Sequence, residues 1–256
     1  MSGHSKWSKV KHQKESTDAV KGKIFTKLSN SIIVAVKQGG GNSDPNLNFK
    51  LRLAIDNARS HNMPKDNIER AIERGKGSSA EDSLSEVMYE AYASNGIGLI
   101  ILAATNKKQR TVANIKNILE KEGGVLAASG SVSHLFDYFG NIKILKGDKS
   151  FDEILEIALN SGAEDIKDHE NVIDIFTKPN FLHKVRETAI NNGLQVLSSE
   201  LLYYPKISVP LIDKETALKI TKLVSRIEDN EDVFKVYSNF MIPDNLLVEY
   251  TEKTQA

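Results

Sequence analysis

The amino-acid sequence predicts a multi-domain α+β protein: a small helical domain at the N-terminal end, followed by two small α+β domains. Three observations predict it. Residues 18–75 carry apolar side chains at helical spacing, punctuated by glycine and proline signals. "GKGSSAEDS" (75–83) is polar and rich in Gly and Ser, the composition of a linker. Beyond it, strand-like and helix-like stretches alternate on short links, with enough chain for two compact α+β units.

In "DAVKGKIFTKLSNSIIVAVKQ" the residues Val20, Ile24, Leu28, Ile32 and Val36 recur at every fourth position, and Phe25, Ile33 and Ala35 widen the stripe into a core-facing helix. "GGGN" (39–42) stops it, because glycine carries the highest backbone entropy cost in a helix. "SDPN" (43–46) restarts a helix, with Asp44 as N-cap and Pro45 in the first turn, and with Leu47, Leu51, Ala54, Ile55 and Ala58 on one face. "NMPKDNIERAIERG" predicts a third helix: Pro64 near its start, Ile68, Ala71 and Ile72 inward, Gly75 as its stop. After the linker, "EVMYEAYASNGIGLIILAAT" predicts two strands around a turn at Asn95–Gly96. "RTVANIKNILEKEGG" predicts an amphipathic helix opening near Thr111, and "GSVSHLF" a short strand. Strand and helix then alternate through "NIKIL", "FDEILEIALNSG", "NVIDIFT", "FLHKVRETAINNG" and "LQVLSSELLYY". A helix, "KETALKITKLVSRIED", and a strand, "DVFKVYSNF", follow.

Composition excludes much chemistry. At 40% hydrophobic and 27% charged, the chain matches an ordinary soluble globular protein. Its richest apolar window, "GIGLIILAA", is half a membrane span, so no membrane partner is expected. The first residues are charged without an apolar core and nearly free of arginine, unlike a secretory signal or a transit peptide. There is no cysteine, which removes disulfides, thiolate nucleophiles and Cys-based zinc sites and fits a cytoplasmic setting. The pairs Gly22–Lys23 and Gly75–Lys76 lack Walker A spacing, and "NGIGLI" lacks the third glycine of a dinucleotide fingerprint. In "GSVSHLF", His134 stands where a nucleophile elbow needs glycine, leaving Ser131, Ser133 and His134 as strand residues. The six histidines fall at no metal-binding spacing, and "EDNED" (228–232) reads as a solvated turn, not a calcium loop. The expectation is a protein with no catalytic residues, cofactor, metal or small-molecule substrate.

Charge is distributed unevenly. Thirty-four basic residues balance 34 acidic ones overall, yet residues 1–77 hold 15 Lys+Arg against 7 Asp+Glu, and the rest 19 against 27. A basic end of this kind suits a polyanion, or alternatively the acidic body of the same or another copy. "GHSKWSKVKHQK" (3–14) concentrates four lysines, two histidines and the one tryptophan with no acid. Wound as a helix over 5–21, Trp7, Lys11, Lys14 and Lys21 share a side that only Asp18 interrupts. Lysines bind phosphates with release of counterions, and a tryptophan stacks on an unpaired base. A merely solvated tail is the competing reading, but such a tail has no use for tryptophan's large apolar surface. A second basic site, "TNKKQRT" (105–111), sets Lys107, Lys108 and Arg110 beside the free N–H groups of a helix start; it is an anion pocket or an exposed charged loop. In the third helix, Asp66 is placed to pair with Arg70, so that helix reads as structural. The candidate nucleic-acid-binding residues are thus Lys6, Trp7, Lys9, Lys11, His12, Lys14, Lys21, Lys23, Lys107, Lys108 and Arg110.

These stretches, together with "LRLAIDNARSHNMPKDNIERAIERG", "GGVLAASGSVSHLF" and "VYSNFMIPD", resemble the YebC family along the whole chain. The resemblance implies three domains, one inserted in another: 1–77 helical and basic, 78–136 with 205–247 as a discontinuous middle domain, and 137–204 as the insertion. Family members are described as transcriptional regulators in bacteria; a mitochondrial relative activates translation of cytochrome c oxidase subunit I, and bacterial members have been linked to ribosome function. Gln13 replaces the family's usual arginine, Asn106 replaces an acid of the second basic motif, and Ala127 and Ala128 replace a glycine and a polar residue. The expected function is that of a non-enzymatic, cytoplasmic DNA-binding regulator of transcription. The alternative is a ribosome-associated translation factor binding rRNA or tRNA. A hydrolase using "NKKQRT" as a phosphate pocket lacks a nucleophile and a base, and a protein-docking scaffold is a further rival. The oligomeric state is left open.

Overall fold

A computed structural model describes residues 18–77, 84–169 and 171–243. The chain divides into two compact units, one combining the chain up to Phe136 with the chain from Pro205 onward, the other running from Asp137 to Tyr204.

The first unit begins with three helices, α1 (Asp18–Gln38), α2 (Phe49–Ser60) and α3 (Lys65–Lys76). Leu28, Ile32, Ile33 and Val36 of α1 bury against Leu51, Ile55, Ile68 and Ala71. Three local expectations are corrected by the structure. Asp44 does not cap a helix: Pro45–Leu47 forms a turn, closed by the Asn46 N–H donating to Asp44 Oδ1 at 2.8 Å. The cap of α2 is Asn48, whose side chain accepts from Leu51 N at 3.1 Å. Leu47 consequently points to solvent, 76% exposed. Nor does Gly75 stop α3: it lies within the helix, buried, where a Cβ would come 2.7 Å from Val36 Cβ. Glycine is needed there for close helix approach. Arg70 bonds the backbone carbonyl of Asp66, at 3.2 Å, where a carboxylate pair was expected.

The same unit continues with a four-stranded sheet in the order β3-β1-β2-β9, from β1 (Ser85–Tyr92), β2 (Gly98–Thr105), β3 (Val125–Ala127) and β9 (Val233–Ser238). β1 and β2 pair antiparallel from Ser85↔Thr105 to Tyr92↔Gly98, around a turn in which Asn95 and Gly96 both have positive φ. One face of β2 (Leu99, Ile101, Ala103) packs with α4 (Lys108–Lys121) and α7 (Lys214–Glu228), through Ile115, Leu119, Ile220, Leu223 and Val224. Ile100 and Ala104 are equally buried, and α1 packs against β2 and β9. The Lys27 ammonium donates to the Glu228 carbonyl at the end of α7, where the helix dipole favours a cation. The expected strand in "GSVSHLF" is a turn followed by a 3-10 helix at Ser133–Leu135; the short strand lies earlier, at Val125–Ala127. A two-stranded parallel pair, β8 (Val209–Pro210) with β10 (Phe240–Met241), completes the unit.

The second unit runs β4 (Phe136–Leu145), α5 (Phe151–Ser161), β5 (Ala163–His169), β6 (Val172–Thr177), α6 (Leu182–Asn191), β7 (Val196–Pro205), with sheet order β5-β6-β4-β7. This βαββαβ order is the split βαβ of ferredoxin-like domains. Ile142, Ile144, Ile154, Ile173, Ile175, Leu182 and Val185 are buried, and Ser150 caps α5 in a reciprocal box with Glu153. Among the described residues no helix is long and apolar enough to cross a membrane.

Candidate nucleic-acid interface

Of the predicted basic residues, Lys6, Trp7, Lys9, Lys11, His12 and Lys14 lie outside the described residues. Lys21 and Lys23 are exposed near the start of α1. The structure brings Lys107, Lys108 and Arg110 together at the junction of β2 and α4. That helix opens at Lys108, three residues before the expected Thr111, so the cations occupy its cap and first turn. With Ser85, Thr105, Asn106 and Gln109 they line an open concavity of about 630 Å³.

The loop is held from below. Thr105 and Thr111, both fully buried, place their hydroxyl oxygens 2.9 Å apart. Lys107 N–H donates to Thr105 Oγ1 at 3.0 Å. Thr111 Oγ1 lies 2.7 Å from Asp232 Oδ2, and since an ionised carboxylate only accepts, the Thr111 proton goes to Asp232. Thr105 therefore donates to Thr111, and one chain of bonds runs from the Lys107 amide to the carboxylate. Arg110 Nη2 reaches the same carboxylate at 2.9 and 3.0 Å. Asp232 is fixed in turn, its carbonyl accepting from Ala104 N at 2.8 Å and its N–H donating to Asn230 Oδ1 at 3.0 Å. Tyr89 Oη donates to the Lys108 carbonyl at 3.3 Å; burial, and then the Asp232 charge, push its hydroxyl pKa up.

Electrostatically this helix start is the reverse of what a helix prefers. Its cap and first turn bring three cations and no acid of their own to the positive end of the dipole, the Lys107 side chain makes no capping bond, and the Asp232 carboxylate offsets one of the three charges. Among the described residues nothing engages the exposed Lys107 and Lys108 ammoniums; Arg110, by contrast, is committed to Asp232. Two positive charges beside uncapped N–H groups can receive an anionic oxygen.

Sequence reasoning missed Asp232. It lies in the "EDNED" stretch expected to be a solvated turn, yet its side chain is only 14% exposed and organises a loop 122 residues earlier in the chain. It also missed Glu90, 2% exposed on β1, which takes backbone N–H bonds from Gly130, Val132 and Ser133 at 2.7, 2.5 and 2.9 Å. Neither carboxylate has a local sequence signal.

Known proteins match nearly the full length of the chain. The family model for the TACO1/YebC protein N-terminal domain matches residues 5–78, and that for the TACO1/YebC second and third domain matches residues 84–240. A Sulfurihydrogenibium protein named "Probable transcriptional regulatory protein SYO3AOP1_0685" is 44% identical over 248 residues, covering 96% of this chain and 98% of that one. A Halothermothrix orenii protein of the same kind of name is 41% identical over 255 residues, covering 99% and 100%. The crystal structure of the conserved hypothetical protein Aq1575 from Aquifex aeolicus superimposes with a TM-score of 0.78 at 40% identity, covering 89% of this chain and 93% of that one.

Proposed function

This chain belongs to the TACO1/YebC family, and from that membership we propose that it is a non-enzymatic regulator of gene expression that acts by binding nucleic acid, with duplex DNA as its ligand. The names of its relatives supply the regulatory role. The observation that carries the binding role is the pair of exposed lysines, Lys107 and Lys108, which have no partner among the described residues, at a start of α4 where the cap residue makes no side-chain bond. A phosphate oxygen placed there would meet backbone N–H groups, the helix dipole and two ammoniums at once. The basic sequence with Lys6, Trp7, Lys9, Lys11, His12 and Lys14, followed by Lys21 and Lys23, supplies further cations for phosphates and, in Trp7, a ring for an unpaired base. We assign the three domains to 1–77, to 78–136 with 205–247, and to 137–204, in a protein that works in the cytoplasm without a cofactor.

Titration of the protein against a duplex DNA and a hairpin-loop RNA over a range of salt tests this. The logarithm of the duplex affinity should fall linearly with the logarithm of salt. Replacing Lys6, Lys9, Lys11 and Lys14 by glutamine should flatten that slope by roughly 0.9 for each phosphate no longer neutralised. Trp7→Ala should change duplex binding little, since paired bases are already stacked. Tighter binding to the hairpin, with Trp7→Ala costing about 1–3 kcal/mol there, would overturn the duplex assignment in favour of unpaired RNA. Absence of salt-dependent binding to either ligand would overturn the nucleic-acid reading itself.

A further inference from the structure

Resting on that reading of the site, we propose that Asp232 is a built-in competitor for the anion, withholding Arg110 from a bound phosphate and so setting how strongly the Lys107–Arg110 loop binds nucleic acid. The geometry separates two roles within one carboxylate. Oδ2 accepts from the buried Thr111 hydroxyl at 2.7 Å, the bond that shapes the loop. Both oxygens also face Arg110 Nη2, at 2.9 and 3.0 Å, and this bond neutralises a cation the loop would otherwise present. The two partners differ in exposure: the Arg110 side chain, which lines the concavity, is 53% exposed, while Asp232, which does not line it, is 14% exposed. A phosphate approaching Lys107 and Lys108 thus meets a guanidinium whose charge is already cancelled. The site offers two net positive charges instead of three.

Asparagine at 232 is the variant that tells these roles apart. It keeps one oxygen to accept from Thr111 and keeps the backbone bonds to Ala104 and Asn230, but it carries no charge to cancel that of Arg110, and its amide nitrogen cannot accept from the guanidinium. The effect is a gain of one usable cation without loss of the loop's anchor.

The test is a set of four proteins: wild type, Asp232→Asn, Arg110→Gln and the double variant, each titrated with a duplex DNA at several salt concentrations. Asp232→Asn should bind more tightly than wild type, with a salt slope steeper by roughly 0.9, so that a tenfold fall in salt adds about an eightfold advantage. Arg110→Gln should bind more weakly, because it uncovers the carboxylate. The double variant should return to the wild-type slope. If Asp232→Asn and the double variant both bind more weakly than wild type, Asp232 serves only to position the loop and the proposal is overturned. Equal slopes for wild type and Asp232→Asn would overturn it as well. Failure of all four proteins to bind would instead remove the nucleic-acid reading, and this inference with it. Thermal melts of each variant separate a change of site charge from a failure to fold.

Discussion

Two carboxylates in the first unit each gather a distant loop, and they do so by opposite means. Glu90 takes three backbone N–H groups of the 130–133 turn and is itself 2% exposed. Asp232 takes side chains, a buried hydroxyl and a half-exposed guanidinium. The first loop also fits sterically against the sheet: Val132 is fully buried, a Cβ on Gly98 would lie 2.7 Å from Val132 Cγ1, and Tyr92 Oη donates to the Ser131 carbonyl at 2.6 Å. Backbone bonds made in a buried place leave nothing to exchange with a ligand. Side-chain bonds at a mouth can be exchanged. The difference separates a loop that holds the sheet together from a loop suited to binding.

Removing Glu90 should have the largest effect. Glu90→Ala would leave three N–H groups buried or poorly hydrated, and a loss of about 3 kcal/mol or more is expected, read as a fall in chemical-denaturation midpoint. Burial pushes the Glu90 pKa up, but the N–H groups of Gly130, Val132 and Ser133 outweigh it and hold the carboxyl below its ordinary value. A carboxyl lowered in the folded state stabilises fully above its unfolded pKa and loses that contribution as pH falls through the folded one. The stability gap between wild type and Glu90→Gln should therefore be widest near neutral pH and close in acid. A gap independent of pH would mean that the charge of Glu90 adds nothing to its hold on the loop.

A smaller break on the same side is Gly130→Ala. Gly130 has φ +87 with open space around its Cβ position, so the cost is conformational only, about 1 kcal/mol. Urea melts would check it; a loss several times larger would mean that the turn has no room to adjust.

The same contrast explains what could be read from the sequence. The helical period of α1 and the apolar run of β2 were legible because each is decided by its own residues, as was the Asn95–Gly96 turn. The strand at Ala163–His169 was not: "AEDIKDH" lacks a buried apolar face and forms as the outer partner of the apolar β6. "GSVSHLF" has strand-like residues, but Glu90, some 40 positions away, captures its N–H groups and bends it. Asn48 rather than Asp44 caps α2 because its amide also donates to the carbonyls of Ala35 and Asn42, both at 2.9 Å. Of the candidate site, the basic residues were visible and the acid that restrains Arg110 was not, since nothing in "EDNED" announces a partner at position 110. Local pattern shows which groups are present; only the fold shows which of them are already engaged.

Asp232→Asn should cost the fold less than either change at the Glu90 loop. The ion pair it breaks is half-exposed on the arginine side, worth about 0–1 kcal/mol, and the Thr111 bond survives. A denaturation midpoint close to wild type, set beside a marked drop for Glu90→Ala, would sharpen the contrast between the two loops. A drop as large as that of Glu90→Ala would erase it, placing both carboxylates in the same structural class.

The smallest effect on stability, and the most telling one, belongs to Lys107 and Lys108. Both are exposed, and both sit at the positive end of the α4 dipole, where a cation is unfavourable. Replacing the pair with alanine removes that repulsion and leaves good helix formers in place, so the melting temperature should hold or rise, by the equivalent of a few tenths of a kcal/mol. The same double change should flatten the salt dependence of duplex binding by about 1.8, two phosphates at roughly 0.9 each. Higher stability with weaker binding marks charges kept against the preference of the fold, as a binding site requires. Should the melting temperature fall while affinity stays level, the lysines would be stabilising the helix start, and the concavity they line would have no claim to be an interface.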